Sequence, residues 1–211
     1  MKSHEFASLL CSRLCHDMLS PVGALNNGVE LLVDETDPEM RERCLELLAE
    51  SARVTANKLK FFRLAFGAAG GFGDLIDPRE AQVAIEGLLT SDGKIQLGWM
   101  INQSALSKTA VKVLMNLALI AGDALVRGGR LDVGAERRGN TTEIAIRAEG
   151  PRLAVDPEIA ATLNGEIEEA ALTPRAAAAW LARSLSLENG GNVQVAIEDG
   201  VLVFGATLIA R

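Results

Sequence analysis

Between residues 4 and 32 the chain places an apolar side chain every three or four positions, at Phe6, Leu10, Leu14, Met18, Val22, Leu25, Val29 and Leu32. That interval is the period of one long amphipathic helix. The loop DETDP follows, with Asp37 placed to cap a second helix and Pro38 at its first position. The second helix is expected to reach about Phe66, apolar at Leu45, Leu48, Val54, Leu59, Phe62 and Leu64. Two helices of this length on so short a loop must lie antiparallel. A lone hairpin cannot enclose its own apolar stripe. Residues 4–66 are therefore expected to pair with a second copy as a homodimeric four-helix bundle.

The stretch GAAGGFGD, residues 67–74, ends this pattern. Beyond it, helical periods near 78–90, 106–125 and 173–188 interleave with strand-like runs near 95–101, 129–136, 142–148, 192–197 and 201–209. The expected fold is α+β: a helical hairpin over 1–67, a glycine-rich linker over 68–74, and an α/β layer over 75–211 with helices on one face of a mixed sheet.

Composition limits the partners. The 211 residues are 48% hydrophobic but only 4% aromatic, with no tyrosine, so the core must come from Leu, Ile, Val and Ala. A net charge of −7 argues against nucleic acid or anionic membrane as the main partner. Three cysteines, Cys11, Cys15 and Cys44, give no disulfide framework. There is no apolar signal core and no run of membrane-spanning length, so a cytoplasmic protein is expected.

The segment CHDMLSP, residues 15–21, holds one of the chain's two histidines. At 100° per residue, His16 lies opposite the mean direction of the apolar stripe. It shares that outer face with Ser12, Arg13, Ser20, Gly23 and Asn27, small or polar residues that let a partner approach. Pro21 removes the helical hydrogen bond to the Asp17 carbonyl, at a cost of about 3 kcal/mol, and is expected to loosen the turn. An exposed imidazole nitrogen can attack phosphorus. Asp17 can hold the other ring nitrogen or accept its proton. Metal binding by Cys11, Cys15 and His16 is the competing chemistry. Cys15 and His16 point about 100° apart, however, which favours small, semi-buried packing roles for the cysteines.

The pattern H-D-x-x-S-P resembles the H-box of bacterial histidine kinases. More closely, LCSRLCHDMLSPVGALNNGVELL with RLAFGAAG, within residues 9–32 and 63–70, resembles the ChpT-type histidine phosphotransferases of alphaproteobacteria. The resemblance implies a dimeric hairpin followed by a degenerate kinase-like ATP domain. It implies a phosphorelay in which His16 accepts a phosphoryl group from the receiver domain of a hybrid kinase and passes it to the receivers of response regulators. Asp17, Ser20 and Pro21 fall on the acid, small polar and proline positions of the H-box. Arg13, Ser20 and Asn27 are expected to contact the receiver, and Lys58, Lys60, Arg63, Arg147 and Arg152 are further basic candidates.

Kinase nucleotide boxes can be sought beside this resemblance. In VKVLMNLALIAGDAL, Asn116 and Leu117 stand, but Ile120 occupies the position of a second asparagine, and an isoleucine offers Mg²⁺ no oxygen. In IAIRAEGPRL, Ala148 replaces the aspartate that reads adenine, and Arg152 replaces a glycine. Alanines 176–179 fill the lid position and favour helix over a phosphate-wrapping loop. No cofactor is expected, and the Mg²⁺ of the reaction belongs to the receiver. Two other readings stay open: an active kinase or phosphatase with divergent boxes, and a non-catalytic dimeric adaptor.

Overall fold

The computed structural model describes residues 2–67 and 74–209. Helices α1 (Ser3–Asp34) and α2 (Pro38–Ala65) form the antiparallel pair. Asp37 Oδ1 accepts the Met40 N–H at 3.0 Å with Pro38 at the first position, so α2 starts where its capping residues require. Arg41 donates to the Leu32 and Glu35 carbonyls at 3.2 and 2.8 Å, which covers the open end of α1. Gly28 lets the helices close up: a Cβ there would meet Leu48 at 2.8 Å.

The rest of the described chain is β1 (Leu75–Ile76), α3 (Pro78–Ile85), β2 (Ile95–Met100), β3 (Leu106–Ser107), α4 (Lys108–Ala124), β4 (Gly129–Arg138) and β5 (Thr141–Glu149), then α5 (Pro157–Asn164), α6 (Ala177–Glu188), β6 (Val193–Glu198) and β7 (Val201–Ile209). Five strands make one mixed sheet in the order β2-β4-β5-β7-β6, parallel only between β2 and β4. The chain crosses from β2 to β4 through α4, as a parallel pair requires. β1 and β3 form a separate antiparallel pair. The architecture is α+β, a helix pair followed by a mixed sheet.

Several boundaries differ from the sequence expectation. The period over 78–90 splits into α3 and a π-helical turn at Glu86–Thr90. The run from 106 begins as a strand whose Ser107 caps α4 through the Ala110 N–H. The short helix α5 carries too few residues to announce a period, although Asp156 and Pro157 are a capping pair. The linker expected over 68–74 lies, except for Asp74, outside the described residues.

One hydrophobic core runs through both parts of the chain. Leu131, Val133, Ile144, Ile146, Leu202 and Phe204 turn one sheet face towards α4, which is buried almost along its length. Phe61, Phe62, Leu64 and Ala65 at the end of α2 join the same cluster. Phe6 of α1 packs on Trp180 of α6 with ring centroids 4.4 Å apart. Asn57 Nδ2 donates to the Gly87 carbonyl at 2.9 Å. The hairpin is therefore seated on the α/β layer rather than tethered beside it.

The apolar stripe of α1 divides. Leu14 and Met18 pack against the core, while Val22 and Val29 are exposed, as are Leu19 and Val33 outside the stripe. Leu45 and Leu59 of α2 are exposed as well. Cys11 and Cys15 are also exposed, not semi-buried as their spacing suggested, and only Cys44 is buried. The phase explains this: Cys11, Cys15, Val22 and Val29 share a side of α1 that neither α2 nor the sheet layer covers.

Candidate functional site

The H-box segment sits mid-way along α1, over the C-terminal end of α4. His16 leaves 84% of its side chain in solvent, and its Nδ1 lies 3.0 Å from Asp17 Oδ1. A carboxylate is an acceptor, so this contact places the ring proton on Nδ1 and leaves the lone pair on the outward Nε2. Neighbouring helical side chains diverge by about 100°, which lets His16 face water while Asp17 turns inward. Asp17 is only 18% exposed.

Asp17 is held from three sides. Its Oδ2 accepts from Arg13 Nε at 2.7 Å, one helical turn back. Arg13 Nη2 continues to Asp123 Oδ2 of α4 at 3.3 Å. The ammonium of Lys58 in α2 donates to the Asp17 backbone carbonyl at 2.6 Å. Burial opposes ionisation of Asp17, but the hydrogen bonds from His16 and Arg13, with the charges of Arg13 and Lys58, outweigh it and leave the carboxyl below its ordinary value.

That direction has a measurable sign. A carboxyl depressed on folding adds stability above its unfolded value of about 4, and the gain is lost as pH falls through the lower folded value. Carboxyl carbon NMR should place the Asp17 midpoint below the ordinary aspartate value, and Arg13→Met should move it up. A midpoint at or above the ordinary value would mean that burial, not the hydrogen bonds, governs this group.

His16, Asp17, Arg13 and Asp123 line one wall of a cleft of about 830 Å³. Its other wall carries Arg175, paired with Asp156 at 2.8 Å, and Glu158, which accepts from the Thr173 N–H and hydroxyl at 3.0 and 2.9 Å. Ile120 lines it too.

Three expectations for site residues are revised. Arg13 is not on the outer face: at 17% exposure it is turned to α4 by its two acids. Lys58 is turned to Asp17 rather than outward. Arg147 is engaged by Asp132 and Glu149 on the sheet, away from the cleft. Ser20 and Asn27 are exposed further along α1, on the side of His16. Pro21 is buried and α1 continues past it without a break. The freed Asp17 carbonyl was the available clue to Lys58. Nothing in the sequence announced Asp123 as the partner of Arg13.

The residues at the nucleotide-box positions do not fit a magnesium nucleotide. Asn116 is fully buried, and its amide donates to the carbonyls of Ala65 and Lys112 at 3.0 and 2.8 Å. Its Oδ1 has no partner among the described residues. Ala148 is a core residue of β5 opposite Leu131, with no carboxylate to offer adenine. Alanines 176–179 are buried, Ala176 closing a 3₁₀ turn (Pro174–Ala176) and the other three starting α6.

Comparison with known proteins agrees with this arrangement. The family model described as the histidine phosphotransferase C-terminal domain matches residues 78–201. The protein phosphotransferase ChpT of Brucella abortus (strain 2308) is 36% identical over 203 residues, covering 96% of this chain and 95% of that protein. A bacterial phosphotransferase structure at 1.7 Å superposes with a TM-score of 0.86 at 32% identity, over 98% of this chain and 97% of the other. With a family match over more than half its length and a relative similar from end to end, this chain belongs to the histidine phosphotransferase family.

Proposed function

We propose that His16 is the phosphoryl carrier of this phosphotransferase, loaded by one receiver domain and unloaded by another. The observation that carries the proposal is the exposed imidazole whose Nδ1–H is held by Asp17. Nε2 then presents its lone pair to the phosphorus of an aspartyl phosphate. The Nε2–P bond forms as the P–O bond to the aspartate breaks, and that oxygen leaves with the electron pair as a carboxylate. The imidazole becomes an imidazolium, whose charge Asp17 stabilises across the Nδ1–H bond. Transfer to the next receiver runs the same step backwards. The chain's contribution is orientation and charge placement.

Mg²⁺ and the aspartate belong to the receiver in this reading, and the protein itself uses no cofactor. ATP is not the donor, a view supported by Ile120 and Ala148 at the positions that would meet it and by the engaged amide of Asn116. Arg175 and the acids of the cleft, with Ser20 and Asn27, offer polar contacts to the docked receiver. The exposed stripe of Val22, Val29, Leu45 and Leu59 supports a homodimer through the hairpin. Neither nucleic acid nor membrane is a partner in this reading. No described helix is long and apolar enough to cross a membrane, and we place the protein in the cytoplasm.

The test compares donors. Labelled phosphate should pass to the protein from a phosphorylated hybrid-kinase receiver and not from ATP. Labelling by ATP alone would make the protein a kinase. Labelling by neither would favour an adaptor.

A further inference from the structure

Pro21 has no N–H, so the carbonyl of Asp17, four residues earlier, has no helical donor. A helix that loses a bond in this way usually kinks or admits water. Here α1 runs unbroken from Ser3 to Asp34, and the donor comes from the other helix as Lys58 Nζ, 2.6 Å from Asp17 O. We propose that Lys58 is a positioning residue for His16: its ammonium replaces the amide that Pro21 lacks and fixes the turn bearing His16 and Asp17. The proposal rests on His16 being the phosphoryl carrier.

The exchange of donors changes more than geometry. A backbone N–H at position 21 would be neutral, whereas the ammonium brings a full positive charge beneath the histidine. Two cations, Arg13 and Lys58, then face two acids, Asp17 and Asp123, in one cluster. Arg13 fixes the carboxylate of Asp17 and Lys58 fixes its backbone, so both ends of the residue that orients the imidazole are held. The bond also ties the two hairpin helices together at the height of the reactive residue.

A double-mutant cycle tests this, with Lys58→Met, Pro21→Ala and the pair compared with wild type. Single-turnover transfer from a phosphorylated receiver is measured at saturating receiver, which separates the rate at the docked histidine from docking affinity. Lys58→Met alone should slow transfer about ten-fold, the effect of leaving one partly buried acceptor unsatisfied. In the Pro21→Ala background the same change should cost less than about two-fold, because residue 21 then supplies an N–H to the Asp17 carbonyl. Equal slowing in both backgrounds overturns the proposal. A change confined to receiver affinity makes Lys58 a docking charge and overturns it as well. If Lys58→Met does not fold, Lys58→Ala, which likewise has no side-chain donor, takes its place in the cycle.

A second reading needs no receiver. The carbonyl carbon shift of Asp17 should move upfield in Lys58→Met and recover when Pro21→Ala is added. No movement overturns the proposal directly. A wild type that takes no label, with the carbonyl shift as expected, would count against the relay reading. The positioning role would fall with it, while the bond to Asp17 would stand as measured.

Discussion

His16→Gln should abolish phosphoryl acceptance from a receiver, a loss on the order of 10³-fold or more in labelled protein, because no other group replaces the nucleophile. A glutamine amide matches the imidazole in size, but its nitrogen lone pair is delocalised into the carbonyl. The amide can still hydrogen-bond Asp17. The variant should therefore keep the local structure while losing the reacting atom. With 84% of the side chain in solvent, the substitution should change folding stability by no more than about 0.5 kcal/mol. Radiolabel transfer and a thermal melt of the same preparation check both statements. Undiminished labelling in His16→Gln would move the phosphoryl group to another residue, and a lowered melting temperature would mean that His16 supports the fold.

The second large effect concerns assembly. Val29 and Leu45 are 54% and 56% exposed in the single chain, on neighbouring stretches of α1 and α2. Val29→Glu with Leu45→Glu should convert a dimer to a monomer, because each glutamate would enter the interface uncompensated. Burial of an unpaired charge costs several kcal/mol per ion, so the dissociation constant should rise by at least about 10³-fold. Both side chains face water in the isolated chain, so the protomer itself should remain folded. Sedimentation equilibrium and circular dichroism separate the two effects. A wild type that sediments as a monomer, or a variant that still dimerises, would exclude this face as the interface.

The hairpin was legible because its signals are local: a helical period sustained from residue 4 to residue 32, a capped turn and a proline in the right place. The histidine's outward aspect followed from the same period. Where Arg13 points did not, because its direction is set by Asp123, 110 residues away in sequence, and no period reports a contact of that kind. Lys58 lay between these cases. Pro21 made it certain that the Asp17 carbonyl lacked its ordinary donor, yet the sequence left several basic residues of α2 as choices. The decayed boxes were legible as missing atoms at Ile120 and Ala148. The new use of Asn116 was not, since its acceptor, the Ala65 carbonyl, comes from the other part of the chain.

That last bond bears on how such a protein could be controlled. An enzyme that must swing a nucleotide onto its own histidine needs a loose joint, and a loose joint is a place where a signal can act. Here a buried amide rivets the end of α2 to α4, inside a core shared by both halves. The histidine stands open to solvent in this arrangement, with 84% of its side chain exposed. With His16 as the carrier we propose, traffic through it would follow the supply of charged receivers on one side and empty ones on the other.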